Sequence, residues 1–120
     1  MTDRYRPQDL KELQRKDHKY HARGCRVDGL YFPSQKQARR YQELKLLVRA
    51  GAISDLQVDN SQTTFRLEVN GRLICRYRAD ATYRENGKLV VEDAKGFQTD
   101  VYKLKRELMR AIHGIEIREV

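Results

Sequence analysis

The sequence is poor in cysteine, in histidine and in long apolar runs. Its two cysteines, Cys25 and Cys75, are far apart and in no metal-ligand spacing. They exclude a disulfide scaffold and read as two reduced thiols. Of the three histidines, His18 and His21 are near neighbours and His113 stands alone. Two histidines without a third ligand do not make a zinc site. No apolar run is long enough to cross a bilayer and no secretory leader is recognisable, so the expected location is the cytoplasm. A glycine-rich phosphate loop with its lysine is missing, as is a serine in a nucleophile elbow. Internal repeats and low-complexity stretches are absent too.

What is abundant is charge. Lysine and arginine total 25 against 17 acids, a formal net charge of +8 on 120 residues. That excess favours a polyanionic partner, nucleic acid before a membrane surface. A protein that is merely basic remains the plain alternative. The length suits one domain with a real core, since the 39% of apolar residues fall into periodic runs.

Residues 1–24 are polar, with Arg4, Arg6, Arg15, Lys16, Lys19 and Arg23 available to a phosphate backbone. They read as a basic N-terminal arm, and residues 25–120 as a single domain. "CRVDGLYF" (25–32) is a small hairpin signal with an Asp-Gly turn. "SQKQARRYQELKLLVRAG" (34–51) is the clearest helix, with Ser34 as N-cap, Gly51 as stop and an inward stripe of Gln37, Tyr41, Leu44 and Val48. "DLQVD" is a short strand candidate. Residues 63–96 then alternate with period two around Asn70-Gly71 and Asn86-Gly87, predicting a three-stranded antiparallel meander. "TDVYKLKRELMRAIHG" (99–114) is a second helix, capped by Thr99, basic, with an apolar stripe of Val101, Leu104, Leu108 and Ile112. "IEIREV" closes as a strand. The expected class is α/β, a mixed sheet flanked by two helices.

"YRADATYRENGKLVVEDAKG" (77–96) carries the chemistry. A two-residue turn at Asn86-Gly87 pairs Glu85 with Lys88, Tyr83 with Val90 and Asp80 with Asp93. Two acids directly opposed are unfavourable, and a hard divalent cation is a natural compensation. Lys95 follows on the same face, where an ammonium can orient a nucleophilic water. Glu92 alternates to the other face and is left out. The competing reading makes the two acids solvent-facing and pairs them with neighbouring arginines.

These residues resemble the PD-(D/E)XK nuclease superfamily, and more closely a family of small, largely uncharacterised phage- and prophage-associated proteins within it. The resemblance rests on "KY" (19–20), "VDG" (27–29), "FPSQKQARRYQEL" (32–44), "YRADATY" (77–83), "VVEDAKGFQTDVYKLK" (90–105) and the terminal "IEIREV", about five-sixths of the chain. It implies a restriction-endonuclease-like core and Mg²⁺- or Mn²⁺-dependent hydrolysis of DNA phosphodiesters in phage or mobile-element recombination, repair or replication. Asp80, Asp93 and the Ala94 carbonyl would hold the metal, and Lys95 would act on the water. Superfamily enzymes that cut both strands are often dimers, which leaves room for a homodimer.

One position departs from that pattern. The family's S-x-x-E glutamate on the first helix is Gln37 here. Its neutral amide either hydrogen-bonds water at the site or completes a capping box with Ser34. Glu43 is the nearby acid, but its position on the helix points elsewhere. The alternative function is therefore a catalytically impaired nuclease fold that binds DNA or protein. Arg39, Arg40, Lys103, Lys105 and Arg106 are the expected phosphate contacts. Tyr41, Tyr83 and Tyr102 read as core residues before base-stacking platforms.

Overall fold

The computed structural model describes residues 24–94 and 96–120. The basic arm and Lys95 lie outside the described residues. The chain divides into two compact units, one ending at Arg39 and one running from Arg40 to Val120.

In the first unit, β1 (Cys25–Val27) pairs antiparallel with β2 (Leu30–Phe32). Asp28 and Gly29 both have positive φ (53° and 79°), the signature of a type I′ turn. Helix α1 (Gln35–Arg49) starts here and contributes Arg40–Arg49 to the second unit. The Gln37 N–H donates to the Ser34 hydroxyl at 3.2 Å, and that hydroxyl donates to the Gln37 amide oxygen at 3.3 Å. Gln37 is thus tied into the helix start, as half of the expected capping box.

The second unit holds β3 (Ser54–Val58), β4 (Thr64–Val69), β5 (Arg72–Arg78), β6 (Ala81–Glu85), β7 (Lys88–Asp93), α2 (Asp100–Leu108) and β8 (Arg118–Glu119). The main sheet has the order β3-β6-β7-β8, antiparallel except for the parallel β7–β8 pair, and is therefore mixed. Asn86 (φ 53°) and Gly87 (φ 75°) form the expected type I′ turn, which sets Glu85 against Lys88 and Tyr83 against Val90.

The three-stranded meander is corrected. The alternating run 72–85 is not one strand but two: among the described residues β5 pairs with β4 alone, in a separate ribbon, and β6 enters the main sheet. The chain leaves the ribbon at Ala79 and Asp80, where the Ala79 N–H donates to the Thr63 carbonyl at 2.8 Å. The break puts Asp80 in a bend just before β6.

Two apolar clusters cover the two faces of the main sheet. Leu44 of α1 packs with Ile53, Ala81 and Tyr83. On the other face, Val91 packs with Leu67 and Tyr77 of the ribbon and with Tyr102, Met109 and Ile117. The expected apolar stripe of α2 is corrected in its first half only, since Leu108 and Ile112 pack against this second cluster. Val101 and Leu104 are each 61% exposed, whereas Tyr102 and Met109 are buried. Tyr102 and Met109 turn fully inward with Leu108 and Ile112 half-buried beside them, and the Tyr102 hydroxyl donates to the Glu119 carboxylate at 2.6 Å. α2 is N-capped by Thr99, as expected. It runs on through a single π turn, Met109–His113, and stops at Gly114 (φ 67°).

Candidate functional site

The end of β7 gathers the acids. Asp93 is its last residue and is buried, 1% exposed. Asp80 is half-buried, and its Oδ2 accepts the Ala94 N–H at 2.8 Å. The β6–β7 ladder ends at Ala81 with Glu92, so the expected Asp80–Asp93 ladder pair does not form; the Asp80 side chain reaches the end of β7 from the bend before β6. The Tyr77 hydroxyl donates to Asp93 Oδ2. Burial pushes the Tyr77 phenol far above its ordinary range, and the bond to Asp93 adds to this, as do the charges of Asp93 and Asp80. The phenol is therefore a neutral donor throughout the physiological range. A buried Asp93 overturns the reading in which both acids face solvent.

Glu119 extends the acidic row. It is the parallel partner of Asp93 on β8, it accepts from the Tyr102 hydroxyl, and Arg106 Nη1 donates to it at 2.9 Å. These two donors hold its carboxyl below the ordinary range. The Tyr102 phenol is raised, first by burial and then by its bond to Glu119, with a further push from Asp93. Nothing local in the sequence marks Glu119, because a parallel pairing joins strands distant in the chain.

The donor atoms that Asp80, Asp93 and a backbone carbonyl offer are all hard oxygens, a chemistry that suits Mg²⁺ or Mn²⁺ better than zinc. Among the described residues, no group of three or more His, Cys, Asp or Glu side chains gathers as a metal centre.

The other face of β7 carries a second buried acid that the sequence reading left aside. Glu92 is 1% exposed. Arg40 grips it bidentately, Nε to Oε2 at 2.8 Å and Nη2 to Oε1 at 2.9 Å, and the Tyr83 hydroxyl donates to Oε1 at 2.6 Å. Arg118 reaches the Tyr83 oxygen at 3.3 Å and pairs with Glu85 at 3.0 Å. The bond to Glu92 raises the Arg40 guanidinium above its ordinary value, against the opposing effect of its own burial. Glu43 pairs with Arg40 at 3.0 Å, which places it with Glu92 and not with Asp93.

The expected phosphate contacts therefore divide. Arg40 is engaged by Glu92 and Glu43, and Arg106 by Glu119 and Gln98. Arg39 and Lys103 are exposed, Lys105 is half-buried, and none of the three has an acid partner among the described residues. Both cysteines are free thiols.

A mixed sheet with flanking helices and an acidic pair at the end of a central strand is an α/β arrangement consistent in general with nuclease-like folds. The chain itself belongs to the family described as "Protein of unknown function (DUF1064)", whose model matches residues 17–118. No curated protein and no solved structure matches it. No helix among the described residues is long and apolar enough to cross a membrane.

Proposed function

We propose that this protein is a DNA-binding module on a nuclease-like fold, acting in the cytoplasm of a bacterial or phage-infected cell. One observation carries the reading: three of the five expected phosphate contacts have no acid partner among the described residues, although Arg40 and Arg106 are paired. The Tyr77 hydroxyl and the Ala94 N–H engage Asp93 and Asp80, and the Gln37 amide oxygen is engaged at the start of its own helix. Arg39, Lys103 and Lys105 have no acid partner among the described residues, on a chain of net charge +8. Cations of this kind bind phosphate without reading bases.

A second reading is a Mg²⁺- or Mn²⁺-dependent endonuclease acting in phage or mobile-element DNA metabolism. The approach of Asp80 to the end of β7 beside Asp93 favours it. In that reading Asp80, Asp93 and the Ala94 carbonyl hold the ion, which would polarise a phosphodiester. Lys95 orients the attacking water, and Gln37 offers a neutral oxygen in place of a carboxylate.

One panel separates them: supercoiled, linear, single-stranded and four-way-junction DNA, each with Mg²⁺, Mn²⁺ or chelator. The module binds with chelator present, binds more weakly as salt rises, and cuts nothing. Metal-dependent cleavage that disappears in Asp93→Ala and Lys95→Ala establishes the enzyme. Cleavage that appears only in Gln37→Glu locates the defect at that position. Absence of binding to every DNA form sinks both readings.

A further inference from the structure

The β4–β5 ribbon stands apart from the main sheet and has two unlike faces. One face packs Phe65, Leu67, Cys75 and Tyr77 into or against the core. The other presents Arg66 directly opposite Arg76, with Arg78 next along β5. Two like charges directly opposed destabilise an antiparallel pair unless something lies between them. Arg66 is partly relieved by Glu68, and Arg78 by Asp59. Arg76 is exposed and has no acid partner among the described residues, and the same is true of Arg72 at the tip. Ile74, the extra residue where the register shifts, is 56% exposed beside them.

We propose that this outer face docks duplex DNA, with Arg66 and Arg76 flanking a backbone phosphate and the ribbon lying in the major groove. The inference rests on the DNA-binding reading and says where that binding occurs. A phosphate turns the opposed arginines from a repulsive pair into a clamp, since a guanidinium matches phosphate oxygens in geometry as well as charge. The major groove of B-DNA, about 12 Å wide, admits a two-stranded ribbon. The deep, narrow major groove of A-form RNA does not. The ribbon is also held in a fixed pose. Tyr77 meets Tyr102 with ring centroids 6.4 Å apart, Phe65 meets His113 at 5.9 Å, and His113 Nε2 donates to the Arg66 carbonyl at 2.8 Å. A docking element braced in this way loses little freedom on binding.

The test is fluorescence anisotropy of the full chain on a labelled duplex of about 20 base pairs, with affinity followed against salt. Arg76→Gln should weaken binding and flatten the log–log salt slope by about 0.9, and Arg72→Gln combined with it by about twice that. Arg76→Lys should keep the slope and lose affinity, because charge survives while the paired contact does not. Thermal melting of each variant should stay at or above that of the parent chain, since a repulsion has been removed. If the parent chain binds DNA and Arg76→Gln matches it in affinity and slope, the ribbon assignment is overturned while the DNA-binding reading stands. If the parent chain binds no duplex, both fall. Equal binding to duplex RNA overturns the groove assignment.

Discussion

Glu92 and Asp93 are neighbours on β7, each 1% exposed, yet they face opposite sides of the sheet and are stabilised by opposite means. Glu92 meets an arginine in bidentate geometry and a phenol. Asp93 meets a phenol on its own face and has a second acid, Asp80, close by. The first arrangement is what a buried carboxylate needs for stability: full charge compensation with its oxygens hydrogen-bonded. The second sets two carboxylates near each other at the end of a strand, Asp93 accepting from a phenol and Asp80 from a backbone N–H. Burial alone would have ranked the two acids equally. The partners separate them: a guanidinium lies against Glu92, a phenol and a neighbouring acid against Asp93.

Removing the Glu92 charge is the most damaging way to probe this contrast. Glu92→Gln leaves Arg40 without its main counter-charge in a partly desolvated place and should cost about 3 kcal/mol. Urea unfolding at neutral pH measures it. An equal loss from Asp93→Asn would erase the distinction between the two faces. Arg40→Met combined with Glu92→Met should recover much of the loss, since an apolar pair can replace a buried ion pair.

The phenols sharpen the comparison through pH. Tyr77, Tyr83 and Tyr102 are all buried, and each phenol is raised above its ordinary value, chiefly by burial. The stabilisation is fully present below the ordinary phenol pKa of about 10 and is lost as pH rises above it, because the unfolded chain then releases protons that the native state keeps. Stability should fall by about 1.4 kcal/mol per pH unit for each such phenol above about pH 10. Alkaline unfolding of Tyr77→Phe and Tyr83→Phe reads the two faces separately, and each variant should lose one phenol's share of the slope.

Asp93→Asn is the mildest change. Tyr77 keeps an oxygen to donate to, and Asp80 loses a like-charged neighbour, so the cost should be about 1 kcal/mol or less by urea unfolding. A small stability effect combined with lost nucleic-acid chemistry would mark Asp93 as a residue kept for function.

Much of this was legible in local sequence. Asp28-Gly29 and Asn86-Gly87 announced two-residue turns with both residues at positive φ, and the latter set the register of β6 on β7 from Glu85–Lys88 to Ala81–Glu92. Ser34 and Thr99 marked helix starts because their hydroxyls accept the N–H groups that a first turn leaves over. The break at Ala79 and Asp80 was hidden, because the alternation from Leu73 to Tyr83 runs straight through it. The first turn of the buried edge of α2 was hidden as well, since Tyr102 and not Val101 or Leu104 turns inward. A helical period reveals that apolar edges exist but not which of two the sheet will accept.

Turns, caps and alternation act over a few residues, and for that reason the residue types alone determined the turns, the helix starts and the register of the Asn86-Gly87 hairpin. Only the tertiary structure decided that Arg40 would cancel Glu92 from 52 residues away, that Glu119 would join Asp93 across a parallel pair, and that Arg76 would be left opposite Arg66 on an outward face. Those outcomes depend on which distant groups burial brings together, and charge compensation between distant residues leaves no periodic mark on the chain.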